Sequence, residues 1–417
     1  MISINKYNIL SIKERHELHD SILNKRLEKI LPYAMKKAEV ECWVVLSREY
    51  NEDPVFYSLM PSKALSAGRY SALLFIRDIK KDKVEKYICS RSHCDVSEYY
   101  DILSVDKGEN FLDVISRKIK EKNPKNVALN FSWNMPLSDG LSHSEYKKIN
   151  EKLEIFKDKI ISAQELVTLW METRTKKEMD LYENLNYIAH GIINEVFSKK
   201  NVIAGYTRTG DLEYLLWQKA IDNGLEVWFS PDVNLQREGG KNRFITGKIL
   251  PGDLLHCDYG IKYLDLCTDT QRLAYVKKNS QNDIPHFLKE LMKTGNDVQN
   301  ILSEEFKIGL TGNEILKNTL KKCEENKIKA QIYSHPVGFY GHGAGPAIGM
   351  YDNQKKVPVK GEIKIENNTC YAMELNASKR IPEWNNEEYY AFLEQTIGII
   401  DDEVVYFDGR QKKIILI

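Results

Sequence analysis

LLHCDYGIKYLDLCTDTQRLAYV, residues 254–276, decides the fold of the larger part of the chain. Asp258 interrupts one strand-like apolar run and Asp269 interrupts a second, with a glycine-containing turn region between them. Eleven residues separate the two acids, about 36 Å of extended chain at ~3.3 Å per residue. Folded back as a hairpin, the strands lie roughly 5 Å apart and the carboxylates converge. Two acids buried side by side are costly unless a cation neutralises them.

The same device recurs downstream. TCYAMELNAS sets Glu374 in an apolar strand, and EEYYAFLEQTIGII sets Glu394 in another, with the polar connection SKRIPEWNNEE between them. Any one of these acids would ordinarily sit on the solvated face of its strand. Four in strand context, in two pairs, point to metal when joined by the glycine-rich segment YSHPVGFYGHGAGP (333–346), which carries His335 and His342. Oxygen-rich sites with a histidine suit a pair of divalent ions, roughly 3.5–4 Å apart, and hydrolytic chemistry.

Around this core the pattern alternates helices (about 209–223, 283–305 and 311–325) with strands (about 253–261, 267–276, 369–376 and 389–400), which predicts α+β rather than a parallel sheet. A long amphipathic helix opens the region. Thr175 and Glu178 form a capping box, followed by an apolar stripe of Leu181, Leu185, Ile188, Ile192 and Val196. His190 lies beside that stripe and reads as a packed or hydrogen-bonded histidine, not a ligand.

The first ~165 residues form a second pattern. Residues 13–38 read as helical, followed by the strand-like runs CWVVLS, SALLFIRD, KYICS and NVALNFS, which predicts a smaller α/β domain. The boundary expected from sequence is 1–168 and 169–417, in keeping with a chain of 417 residues being too long for one core. CSRSHC, with Cys89, His93 and Cys94, has no fourth donor nearby and reads as a strand end and its turn.

Composition narrows the function classes. Lys plus Arg equal Asp plus Glu at 60 each, which gives no support to a nucleic-acid partner. No apolar run approaches the ~18–20 residues of a membrane span, and the N-terminus turns polar too soon for a secretory segment. Seven cysteines spread over a long chain fit reduced thiols. A cytoplasmic protein is expected.

The ordered set Asp, Asp, His, Glu, Glu, with T-D-T-x-R following the first acid, resembles the pita-bread metallopeptidases: aminopeptidase P, prolidase, methionine aminopeptidase and the metal-free creatinase. The two-region layout is similar to the aminopeptidase P (Xaa-Pro aminopeptidase) branch. The resemblance implies a C-terminal pita-bread catalytic domain behind a smaller creatinase-N-like α/β domain. It implies that Asp258 holds one metal ion, that Asp269 and Glu394 bridge two, and that Glu374 completes the other sphere and shuttles a proton to or from a bridging hydroxide. Within the histidine segment the family spacing has a glycine three residues after the ligand and a second active-site histidine seven after it. His335, with Gly338 and His342 at those positions, is then the ligand, and His342 faces the substrate carbonyl.

The resemblance also implies manganese as the metal, with zinc, cobalt or iron as alternatives, a peptide substrate and a homodimer. The activity implied is removal of the N-terminal residue from Xaa-Pro peptides, with an Xaa-Pro dipeptidase as the neighbouring reading and a peptide- or partner-binding pseudoenzyme as the reading from another class. Two positions depart from the family. The segment WFSPDVNLQREGGKNRF lacks a histidine that family peptidases carry upstream of the first Asp, and Phe392 stands where an arginine is usual, two residues before the last Glu. Trp228, Phe229, Phe339 and Tyr340 are candidates for a proline-sized pocket, with core packing the expectation for any single one.

Overall fold

A computed structural model describes residues 7–91, 94–240 and 243–417. The chain divides into two compact units, Leu10–Thr175 and Lys176–Ile417, and Tyr7–Ile9 belongs with the second. The sequence boundary of 168/169 therefore moves to 175/176, and the described N-terminal residues change unit. Gly191 explains how: a Cβ there would come within 2.8 Å of the Tyr7 ring, so the missing side chain makes room for Tyr7 in the core.

In the unit Leu10–Thr175, the expected N-terminal helix is three consecutive segments. Helix α1 (Ile12–Lys25) starts at a Ser11/Glu14 capping box, passes through a π-helical turn at Arg26–Ile30 and continues as α2 (Leu31–Lys37). The strands are β1 (Cys42–Arg48), β2 (Tyr70–Asp78), β3 (Lys83–Ser90), β4 (Asp101–Ile102), β5 (Val127–Leu129) and β6 (Ile160–Ser162), with α3 (Phe111–Lys122), α4 (His143–Lys152) and α5 (Gln164–Glu172). Among the described residues they form one mixed sheet in the order β4-β3-β2-β1-β5-β6. Strand β1 is buried along most of its length because it is central, paired to β2 antiparallel and to β5 in parallel. Strand β3 ends at Ser90 with Cys89 buried and free, while His93 lies outside the described residues.

The unit Lys176–Ile417 opens with α6 (Lys176–Val196), which buries Leu185, Ile188, Ile192 and Val196 as the stripe predicts. There follow α7 (Thr209–Asp222), β7 (Glu226–Val227), β8 (Asp232–Gln236), β9 (Leu254–Tyr259), β10 (Ile261–Tyr263), β11 (Leu266–Cys267), β12 (Thr270–Tyr275), α8 (His286–Glu305) and α9 (Gly312–Glu325). The last strands are β13 (Lys329–Ile332), β14 (His335–Pro336), β15 (Thr369–Ile381), β16 (Glu387–Ile400), β17 (Glu403–Tyr406) and β18 (Ile415–Leu416). The main path of the large sheet is β13-β15-β16-β12-β9-β8, with β14 on β15, β17 on β16 and β18 on β12. Its pairings are antiparallel apart from β12 with β18, as the hairpin-like spacing predicts.

Strand alternation sorts the side chains. On β9, Leu255, Cys257 and Tyr259 enter one core together with Leu185, Ile188 and Leu216 of α6 and α7. On β15 and β16, Met373, Leu375, Leu393 and Ile397 enter a second core with Leu291, Val298 and Leu302 of α8. The residues between them, Asp258, Glu374 and Glu394, are consequently turned away from both cores.

Candidate metal centre

Register brings the acids into one line. Asp258 pairs with Gln271, Gln271 with Glu394, and Glu394 with Glu374, so four neighbouring strands contribute one residue each to a single cross-strand row. Asp269 precedes Gln271 by two residues and shares its face. Its backbone is clamped by Thr396, whose hydroxyl accepts from the Asp269 N–H and donates to its carbonyl, both at 2.9 Å. Glu374 is held the same way by Ser334, whose hydroxyl accepts from the Glu374 N–H at 3.1 Å.

His335 reaches the row from β14, which pairs beside Ala372 of β15. Its Nε2 lies 3.5 Å from Asp269 Oδ2 and 3.9 Å from Glu394 Oε1, and its Nδ1 lies 3.1 Å from the Pro336 carbonyl. The second ring nitrogen is thus oriented by backbone while the first faces the acids. Two groups result, Asp269–His335–Glu394 and Asp258–Glu374–Glu394, each with donor atoms within 4.8 Å of one another. All five predicted ligands come together. In this arrangement Glu394 is common to both groups, Asp269 sits with the histidine, and Glu374 sits with Asp258.

The donor chemistry fits divalent cations. Asp258 Oδ1, Asp269 Oδ1 and both oxygens of Glu394 are buried without a hydrogen-bond partner, a costly state for carboxylates that no cation neutralises. Burial pushes Asp269 up to about 7. Burial, and then the neighbouring acids, hold Asp258, Glu374 and Glu394 well above the usual carboxylate range. Burial also lowers His335 to about 4, which keeps its imidazole neutral and able to ligate.

The row opens onto a cleft of about 580 Å³ lined by Asp258, Glu374, His335 and His342. His342 stands at its exposed edge, with its ring edge-on to His335 at 4.6 Å and to Trp228 at 5.3 Å. Trp228, Phe229, Phe339 and Tyr340 do not line this cleft; Phe244, Tyr351 and Phe392 do. Trp228 instead donates from Nε1 to the Thr268 carbonyl at 2.8 Å. His190 stays apart, buried between Asp408, 2.6 Å from its Nδ1, and Arg272 on its other nitrogen.

Sequence reasoning missed a hydrogen-bond ladder alongside the acids. Gln271 Nε2 donates to Glu374 Oε1 at 2.6 Å and approaches Asp258 Oδ2 at 3.4 Å. Gln271 Oε1 lies 2.8 Å from His256 Nε2, and His256 Nδ1 lies 3.3 Å from Asn234 Oδ1. The signal was parity: Gln271 follows Asp269 by two residues, and His256 precedes Asp258 by two.

A family model described as metallopeptidase family M24 matches residues 181–405, more than half of the 417 residues. The chain belongs to metallopeptidase family M24. Membership of the M24 family implies use of divalent metal, in accord with the carboxylate and histidine donors grouped in the second unit. A search of curated proteins finds no match. Among solved structures, an X-Pro aminopeptidase from Thermotoga maritima MSB8 is similar at a TM-score of 0.65 and 16% identity, over 92% of this chain and 100% of that one. An Xaa-Pro dipeptidase from Bacillus anthracis is similar at 0.62 and 17% identity, over 95% and 100%. A prolidase from Pyrococcus horikoshii OT3 is similar at 0.62 and 15% identity, over 94% and 100%. At these identities the likeness is one of fold. It spans nearly the whole M24 chain, including the smaller N-terminal unit. Among the described residues no helix is long and apolar enough to cross a membrane.

Proposed function

We propose that this M24 metallopeptidase is an aminopeptidase of the Xaa-Pro type that uses two divalent cations, manganese foremost, held by Asp258, Asp269, His335, Glu374 and Glu394. One observation carries the reading: Asp258, Asp269 and Glu394 hold buried oxygens without hydrogen-bond partners, in two donor groups that share Glu394 and include the neutral His335, beside a cleft that Asp258, Glu374 and His335 line. Bound there, the cations supply Lewis acidity and lower the pKa of water.

The remaining roles fall to the chain's own groups. Glu374 lines the cleft and receives a hydrogen bond from Gln271, which leaves its second oxygen to take a proton from the attacking water and return it to the leaving amine. His342, its ring propped against His335 and Trp228, donates a hydrogen bond to the scissile carbonyl oxygen as charge develops there. The apolar wall of Phe244 and Phe392 accommodates the residue beyond the scissile bond and excludes water.

A peptide panel tests this. The metal-loaded protein is expected to release the N-terminal residue of Xaa-Pro peptides; cleavage confined to peptides without proline at the second position would exclude the Xaa-Pro assignment. A homodimer and a cytoplasmic location belong to the same proposal, and light scattering of the purified protein addresses the first.

A further inference from the structure

Beside the acids, the floor of the cleft carries a neutral pair of groups with unmet hydrogen bonds. Tyr333 follows β13, and its N–H donates to the Glu374 carbonyl at 3.1 Å, which sets it next to Glu374 on the side away from Glu394. Asn376 lies two residues from Glu374 along β15 and shares its face. Its Nδ2 donates to Gln331 Oε1 at 3.0 Å and approaches the Tyr333 hydroxyl oxygen at 3.4 Å. Both amide hydrogens are thereby spent, which fixes how the amide is turned. Asn376 is only 3% exposed, yet it lines the cleft together with Tyr333, and its Oδ1 has no partner among the described residues. The Tyr333 hydroxyl accepts from Asn376 and, among the described residues, finds no acceptor for its own proton.

A lone acceptor and a lone donor, both uncharged, complement a group that offers one N–H and one carbonyl. A peptide bond does so. A carboxylate has no hydrogen for Asn376, and an ammonium has no lone pair for Tyr333. In an aminopeptidase the residue ahead of the scissile bond ends in a free amine, so the peptide bond met here is the next one downstream. Its carbonyl lies about 3.6 Å beyond the scissile one in an extended chain, and a hydrogen bond of about 2.9 Å carries the reach to roughly 6.5 Å. Tyr333 stands one strand spacing from Glu374, about 5 Å, and Asn376 two residues along, about 7 Å. Phe392 pairs directly with Asn376, its ring stacked on Phe244 at 5.0 Å and 5.8 Å from the Arg243 guanidinium carbon. The side chain after the scissile bond and the peptide bond that follows it therefore meet adjoining surfaces.

We propose that Tyr333 and Asn376 hold the peptide bond that follows the scissile one, Tyr333 donating to its carbonyl and Asn376 Oδ1 accepting from its N–H, so that the enzyme selects chains of three residues or more. The assignment rests on the aminopeptidase reading above and deepens it.

The test uses the full-length, metal-loaded protein and three compounds alongside Ala-Pro. They are Ala-Pro-Ala-amide, its ester analogue Ala-Pro-lactamide, which lacks the N–H, and Ala-pyrrolidide, which lacks the carbonyl as well. Wild type is expected to cleave the three in that order, each step costing roughly 5- to 50-fold in kcat/KM. Asn376→Leu is expected to shrink the first step to about threefold or less, and Tyr333→Phe the second, with bound metal and Tm near those of wild type. Asn376→Ser stands in if Asn376→Leu fails to fold. Equal treatment of tripeptide and ester by wild type, or a first step that survives the Asn376 variant, overturns the role of Asn376; a second step that survives Tyr333→Phe overturns that of Tyr333. Cleavage of Ala-Pro with the tripeptide amide left intact overturns the selection for longer chains. Should wild type cleave none of the compounds, the Xaa-Pro reading fails on its own. Calorimetric binding of the same series then decides: a graded affinity that the two variants flatten upholds the pair, and equal affinity for all in wild type overturns it.

Discussion

Glu374 and Glu394 stand directly opposite each other on adjacent antiparallel strands, and neither oxygen of Glu394 has a hydrogen-bond partner. Like charges at directly opposed positions destabilise a sheet, so this pair is tolerable only protonated or with a cation between its members. Asp269→Ala and His335→Ala are each expected to lower bound divalent metal from about two ions per chain to fewer than one, by elemental analysis. His342→Ala is expected to keep its metal and lose turnover. Equal metal loss in all three variants would remove the distinction between the two histidines.

The metal-free protein should become less stable as pH rises. Unfolded carboxyls titrate near 4, whereas Asp269 in the fold sits at about 7 and Asp258, Glu374 and Glu394 lie well above their usual range. The folded state then binds more protons between those limits, and the stability these groups contribute below pH 4 is lost as pH climbs through their folded values. His335, lowered to about 4, works in the opposite direction between pH 4 and its ordinary value, but it is one group against four. After chelation, Tm is expected to fall from pH 5 to pH 8 more steeply than that of the metal-loaded protein, and metal uptake at pH 6 to release protons measurable in buffers of different ionisation enthalpy.

Gln271→Ala removes the amide that orients Glu374 and leaves His256 without its 2.8 Å partner. The cost is expected in turnover, roughly 10- to 100-fold, as for other groups that steer metal-site ligands. Metal content by elemental analysis should stay near that of wild type. Unchanged kcat would show that the ladder beside the acids is passive.

Gly341→Ala should destabilise the protein and displace His342. A Cβ at this position would lie 2.3 Å from the Trp228 indole carbons. The indole is fixed by its bond to Thr268 and by its close approach to Gly260, so it has little room to move. A loss of about 1–3 kcal/mol in urea unfolding is expected, together with a lower kcat, because His342 leans on the same ring.

The fold and the four acid positions were legible because each acid interrupts an apolar strand, a local signal that survives without knowledge of pairing, whereas His335 was singled out of its glycine-rich segment by the family spacing. The row itself was less visible. That Gln271 lies between Asp258 and Glu394 depends on the register of β12 with two strands, one of them more than a hundred residues away in sequence. The contact between Arg243 and Phe392 was out of reach for the same reason, since a polar loop residue and a strand aromatic share no periodicity. Tyr7, a single aromatic in a polar leader, gave no pattern that could assign it to the core of the second unit.

The alternation that turns Glu374 and Glu394 away from α8 also constrains how this chain can drift. Adding or deleting one residue within β15 or β16 reverses the face of every side chain beyond it, driving the glutamates into the space held by Met373, Leu375 and Leu393. Length changes are therefore tolerable in the turn around Asn385 and Asn386, both already in the left-handed region, and lethal to folding and chemistry together a few residues to either side.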